Sequence, residues 1–124
     1  IGTSPTRTAA GLHALKTKPI LIAGGYDKHI PFDELGNEIC LHVKKLYLTG
    51  ATTEKIYDAV INSKYYDGKL PIEKIYDFKE TVLAAANAAQ YGDIVLLSPA
   101  CAAFDKFKNF MERGKYFKQI VMEL

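Results

Sequence analysis

Three short apolar runs and one alternating run punctuate this chain: PILIA at 19–23, KLYLT at 45–49, IEKIY at 72–76 and DIVLL at 93–97. Each is bounded by turn formers, and each is separated from the next by enough residues for a helix. Runs of four or five apolar residues between turn signals read as strands buried on both faces. Strands that alternate with helices build one sheet type. It is mostly parallel, covered on both faces and joined by right-handed crossovers. The predicted fold class is therefore α/β, a Rossmann-like, mostly parallel sheet with helices on both faces, in the order αβαβαβαβα.

The intervening stretches carry helical spacing. Residues 1–18 open with Thr3 or Ser4 as a cap and Pro5 in the first turn, and Ala9, Leu12 and Leu15 recur on one face. Asp33 is a candidate cap for a helix with Leu35, Ile39 and Val43 inward. Thr52 can cap a helix through Ile61, with Ile56, Val60 and Ile61 inward. The polar, Asp67-Gly68-containing stretch 62–70 reads as a surface loop. A helix over 78–91 presents Val82, Leu83, Ala86 and Ala89, and Gly92 is its expected stop. The closing segment, 115–124, has Phe117, Ile120 and Val121 apolar and reads as a terminal helix.

Composition narrows the class further. A chain of 124 residues with 48% hydrophobic content is one domain's worth and can bury a real core. No apolar run approaches the ~20 residues needed to span a bilayer. Residues 1–18 hold no apolar core of the length a secretory leader needs. Cys40 and Cys101 do not make a disulfide framework, and both are expected reduced in a cytoplasmic setting. A net charge of +2 with mixed signs does not argue for nucleic acid, although it suits anionic ligands. His13, His29 and His42 lack metal-ligand spacing. There is no G-x-x-x-x-G-K-[ST] phosphate loop, no G-x-S-x-G elbow and no C-x-x-C. Cys101 has no histidine placed to activate it, so an inert thiol is expected there. The chain holds no complete catalytic machine.

Candidate binding residues lie where the strands end. Open α/β sheets take ligands at the carboxyl ends of their strands. The fourth run ends in Ser98-Pro99 and four small residues, 100–103, before Phe104, Phe107 and Phe110. Small side chains there let backbone N–H groups approach an anion. After the first run, Gly24-Gly25-Tyr26-Asp27-Lys28 allows a tight turn and sets a carboxylate beside an ammonium. His29 follows in the same loop and reads as a solvated histidine and not as a base. Lys55 falls in the first turn of a helix, where a cation opposes the macrodipole, and that conflict marks it as a candidate substrate contact.

The stretch LLSPACAAFDKFKNFMERG resembles the carboxyl-end signature of the Mur ligase family, in its D-glutamate-adding branch. That pattern runs roughly LLSPACAS-x-D-x-F/Y-x-x-F-x-x-RG-x-x-F. Leu96 to Ala102, Asp105, Phe107, Phe110, Arg113, Gly114 and Phe117 fall on it. Ala103 stands where the branch usually has a serine that contacts the D-glutamate carboxylate, so here backbone N–H groups would have to serve. Thr3-Ser4-Pro5-Thr6-Arg7-Thr8 resembles the second half of the family's linker motif, and GGYDK resembles its GG-x-D/G-K element.

The resemblance implies a definite assignment. The whole chain, 1–124, would be the last, amino-acid-binding domain of a three-domain ligase. A UDP-sugar domain and a central ATPase domain would lie upstream. D-glutamate would sit against the turn containing Ser98, Ala103 and Phe104, with Phe110 packed on it and Lys55 as a further contact. Arg7, Asp27 and Lys28 would lie on the nucleotide side. The reaction implied joins D-glutamate to UDP-N-acetylmuramoyl-L-alanine at the expense of ATP, in peptidoglycan precursor synthesis. Mg²⁺ would be held mainly by the central domain, and the isolated domain would be inactive. The partners are thus that central domain and the two substrates, with no nucleic acid and no membrane. Two alternatives stand beside this reading. One is an amide ligase domain for another amino acid, disfavoured by the SPACA signature. The other is a free-standing Rossmann-like nucleotide or anion-binding module, disfavoured by the missing G-x-G-x-x-G.

Overall fold

The computed structural model describes residues 18–26, 29, 31–90, 93–97 and 119–122. The expected helix over 1–18 lies outside them except for Lys18, which is not helical. So do Arg7, Asp27, Lys28, Ser98, Ala103, Phe104 and Phe110.

The described residues form β1 (Ile20–Gly24), α1 (Asp33–His42), β2 (Lys45–Thr49), α2 (Thr53–Ile61), β3 (Ile72–Tyr76), α3 (Phe78–Ala88), β4 (Ile94–Leu97) and β5 (Gln119–Met122). All five strands join one parallel sheet in the order β3-β2-β1-β4-β5. β1 is central. Ile20, Leu21 and Ile22 face Lys45, Leu46 and Tyr47 on one side and Val95, Leu96 and Leu97 on the other.

The period-two alternation of the strands divides the core. Leu21 and Ala23 join Leu46, Leu48 and Leu96 on one face, under Leu35 and Ile39 of α1 and Ile56 and Val60 of α2. Ile20 and Ile22 join Tyr47, Val95 and Leu97 on the other, under Phe78, Val82 and Ala85 of α3. Burying each such aliphatic side chain contributes about 1.5–3 kcal/mol before entropy is counted. The two helices of the first face touch closely. A Cβ at Gly36 would lie 2.5 Å from the Ala59 carbonyl oxygen, so only glycine lets α1 and α2 approach this far. β3 is an edge strand with mixed exposure, and its Glu73 pairs with Lys45 at 3.1 Å.

Four expectations need correction. Leu83, expected with Val82, Ala86 and Ala89 on the packed side of its helix, is exposed. The terminal helix predicted over 115–124 is instead, at 119–122, the edge strand β5. It pairs in register with β4, from Ile94↔Gln119 to Leu97↔Met122. Its apolar run is too short for periodicity to separate helix from strand, and the open edge of β4 supplies the partner that decides it. α3 ends at Ala88, short of residue 91. The Asp93 carboxylate accepts the Gln90 N–H at 2.8 Å, and the Asp93 N–H donates to the Gln90 carbonyl at 2.9 Å, so Gln90 is bonded forward to Asp93 and not within the helix. Asp33 is the first residue of α1 and does not cap it. Phe32 holds the cap position, and its carbonyl accepts the Gly36 N–H at 2.9 Å.

Candidate functional site

The carboxyl edge of the sheet collects the loops after β1, β2 and β3. β1 connects to β2 on one side of itself and pairs with β4 on the other. This reversal of direction is where open α/β sheets form their ligand crevice.

Backbone shape at this edge depends on glycine. A Cβ on Gly24 would fall 2.0 Å from the Thr49 carbonyl oxygen and 2.8 Å from its Cγ2. β1 and β2 therefore meet too closely at their carboxyl ends for any side chain. Gly25 (φ 76°) and Gly50 (φ 80°) then turn the two chains away in left-handed conformations. The loop after β1 is fastened by Tyr26, which is buried and meets Phe32 edge-on at 5.6 Å between ring centroids. The carboxylate and ammonium of residues 27 and 28 follow that anchor directly in sequence.

The end of β3 carries a deliberate irregularity. The register passes from Leu48↔Lys74 to Thr49↔Tyr76, so one extra residue bulges out of β3. Tyr76 has φ 72°, a conformation bulky residues rarely adopt. Its carbonyl accepts the Gly50 N–H at 2.9 Å and the Thr49 hydroxyl at 3.0 Å, which holds it there. Its side-chain hydroxyl donates to Glu54, and Lys74 bonds the other Glu54 oxygen at 3.0 Å. The Lys74 ammonium also sits 3.8 Å from the centroid of the Tyr57 ring. The Tyr76 hydroxyl, and then Lys74, hold the Glu54 carboxyl below the ordinary carboxylate range. The same bond to Glu54 raises the Tyr76 phenol.

Lys55 is the one candidate ligand residue of the sequence reading that falls among the described residues. It stands in the first turn of α2 and helps line a groove of about 560 Å³ between α1 and α2, with Pro31, Asp33, Asn37 and Asp58. The structure places Lys55 beside the carboxyl edge, near the loop after β2. The sequence reading missed Glu54, Lys74 and Tyr76. The pairing that joins them spans two elements and a bulge, and no local spacing announces it.

Other chemistry at the described residues is limited. The Cys40 thiol is half-buried, 3.5 Å from the Val60 carbonyl, and burial pushes its pKa up, away from reactivity. Among the described residues no group of three His, Cys, Asp or Glu side chains could hold a metal ion. None of their helices is long and apolar enough to cross a membrane.

The sequence pattern of the Mur ligase, glutamate ligase domain, matches residues 1–101. The chain belongs to that family. Within the Mur ligases it is similar over nearly its whole length to proteins named UDP-N-acetylmuramoylalanine--D-glutamate ligase. That of Clostridium botulinum (strain Alaska E43 / Type E3) is 50% identical over 125 residues, which cover 100% of this chain and 27% of that protein. That of Acetivibrio thermocellus is 52% identical over 124 residues, covering 98% of this chain and 27% of that protein. That of Clostridium acetobutylicum is 51% identical over 127 residues, again 27% of its length. The chain thus spans about a quarter of the curated relatives it matches. The Rossmann-like α/β fold read from the strand pattern is the fold found here for this Mur ligase domain.

Proposed function

We propose that this chain is the amino-acid-binding, carboxyl-terminal domain of a UDP-N-acetylmuramoylalanine--D-glutamate ligase, with UDP-sugar and central ATPase domains upstream. The observation that carries the proposal is identity of about half the residues, over the whole chain, with ligases of that name. The carboxyl edge, built from close-packed glycines, supports it by offering a place to hold an amino acid.

The task of such a domain is positioning. The D-glutamate amine must face an activated carboxyl group, and fixing two reactants in that geometry can contribute roughly 7–11 kcal/mol to lowering the barrier. Ser98, Ala103, Phe104 and Phe110 are assigned to the D-glutamate pocket. Lys55 is assigned as a further substrate contact. Arg7, Asp27 and Lys28 are assigned to the nucleotide side. ATP supplies the activation, and the ligands of Mg²⁺ are assigned mainly to the central domain. Closure of this domain onto the central one excludes water from the reaction. The isolated chain is expected to be inactive, and the parent protein is expected in the cytoplasm.

ADP release by the full-length parent tests the proposal. The assay contains UDP-N-acetylmuramoyl-L-alanine, ATP and Mg²⁺, with D-glutamate, L-glutamate or another amino acid. Release that depends on D-glutamate is the expected result. Release with a different amino acid would keep the ligase mechanism and reassign the pocket, and no release with any of them would end the ligase reading.

A further inference from the structure

Tyr76 combines a costly backbone with an exposed side chain. The Asp77 N–H donates to the Ile75 carbonyl at 2.8 Å across Tyr76, whose φ is 72°. That is the rare, strained form of the three-residue turn. The turn delivers Asp77 to the start of α3, where its carboxylate accepts the Glu80 N–H at 2.9 Å and caps the helix. Glycine would serve that turn without strain. A tyrosine there has to be explained by its side chain, and burial does not explain it. Tyr76 is 51% exposed, more than any other large hydrophobic residue among those described.

The exposed ring is nevertheless fixed. Its hydroxyl donates to Glu54, Lys74 bonds the other Glu54 oxygen, and the Lys74 ammonium rests over the Tyr57 ring. β3 and α2 together hold one tyrosine open to solvent in a set orientation. Fixing a side chain in advance lowers the entropy lost when a partner covers it. The charges of the cluster are already matched, since Lys74 is paired with Glu54. An anionic substrate would meet the Glu54 carboxylate and find the Lys74 charge spent. A protein surface fits better, because the anchors of protein contacts are enriched in tyrosine and ringed by polar groups.

Tyr76 ends β3 and so stands at the carboxyl edge, where the ligase reading brings an amino acid to an activated carboxyl group. The stretch matched here is 27% of the length of the curated relatives, so most of such a protein lies outside it and has to meet this edge for the reaction to occur. We propose that Tyr76, held by Glu54, Lys74 and Tyr57, is a docking contact through which this domain seats against the upstream domains of its own polypeptide. It is a positioning residue, remote from the turn after β4 to which D-glutamate is assigned. The contact rests on the ligase reading, which supplies both the upstream domains and the need to close on them.

The full-length parent carrying the photo-cross-linker p-benzoylphenylalanine at position 76 tests the contact. A second form carries it at position 65, because Tyr65 is also exposed but lies in the loop that enters β3, at the amino edge. Both are irradiated with ATP, Mg²⁺ and D-glutamate present, and the cross-linked peptides are mapped by mass spectrometry. Position 76 is expected to capture peptides from the upstream domains of the same chain, and position 65 is not. Capture of a second copy, equal upstream capture from both positions, or none from position 76 would overturn the proposal. Turnover gives an independent check. Tyr76→Gly, which removes the ring and the strain together, is expected to melt near the wild-type midpoint and to lose roughly tenfold in kcat/KM for ADP release. Tyr76→Phe, which keeps the ring, is expected to lose about twofold at most. Unchanged kcat/KM in Tyr76→Gly would also overturn the proposal. ADP release that depends on D-glutamate, without upstream capture from position 76, ends the docking contact alone, and upstream capture without ADP release ends the ligase reading alone.

Discussion

The two edges of the parallel sheet are built from the same strands and obey different rules. At the amino edge the chemistry is ordinary. Lys44 pairs with Asp93 at 2.8 Å, its N–H donates to the Pro19 carbonyl at 2.8 Å, and Lys45 pairs with Glu73. At the carboxyl edge, Gly25, Gly50 and Tyr76 have left-handed backbone, β3 bulges, and a buried hydroxyl is left unmatched. The only other left-handed residue among those described is Gly68, in the exposed loop before β3. The contrast teaches that the sheet concentrates its irregular backbone on one side, with Gly68, in the exposed loop that enters β3, the exception. A protein that needed only to stay folded would have no reason for such an asymmetry, whereas a binding edge must carry exposed, specially shaped backbone.

The contrast can be broken first at its tightest point. Gly24→Val would drive a side chain into the Thr49 carbonyl and force β1 from β2. The expected loss is about 3 kcal/mol or more, read from urea unfolding of the parent protein. A loss below about 1 kcal/mol would mean the edge is pliable after all.

Removing the working cap of α3 is a milder test. Asp77→Ala should cost about 1 kcal/mol in the same unfolding assay, and Asp77→Asn should recover most of it. The amino edge should be more forgiving still. Burial pulls the Asp93 carboxyl upward, but Lys44 and the Gln90 N–H outweigh it and hold its pKa below the usual value. A depressed folded pKa contributes stability at pH values above the unfolded one, near 3.9. That contribution is lost as pH falls through the folded value. Asp93→Asn should therefore cost at most about 1 kcal/mol at pH 7. Its difference from wild type should shrink toward zero in acid, as unfolding curves between neutral pH and pH 3 would show.

The smallest effect sharpens the comparison most. Tyr76→Phe removes the first of the two bonds on Glu54, so the Glu54 carboxyl should titrate higher than in wild type while Lys74 still holds it partly down. Side-chain carboxyl resonances followed through an acid titration would check this. An unmoved Glu54 would show that the Tyr76 hydroxyl does not hold its carboxylate.

How much of this was legible in the sequence varies by element. β2 and β3 fall where their runs predict, because short β-branched and aromatic runs between turn formers leave little choice. The α3 cap was written in the sequence and passed over, since Asp77 followed by Glu80 has the spacing of a capping box. The identity of β5 was not written locally. Ile120 and Val121 suit either a helix face or a strand, and only the open side of β4 resolves it. The Tyr76–Glu54–Lys74 cluster was illegible for a similar reason, as it exists only once β3 lies beside β2 with a bulge. The place of Lys55 in the first turn of α2 was legible from the helical spacing, and its assignment as a substrate contact stays a proposal drawn from a cation that breaks a local rule there.

The strand order has a consequence for synthesis. β1, β2 and β3 are neighbours in sequence and can assemble as the chain leaves the ribosome, with α1 and α2 covering one face. The opposite flank of β1 has to wait for β4, with two further strands and three helices translated in between. During that interval the centre of the future sheet is an open edge of bare N–H and carbonyl groups next to Ile20 and Ile22, the kind of edge that recruits stray strands. A ribosome that stalls before residue 94 would therefore release a chain with its most hydrophobic seam unzipped.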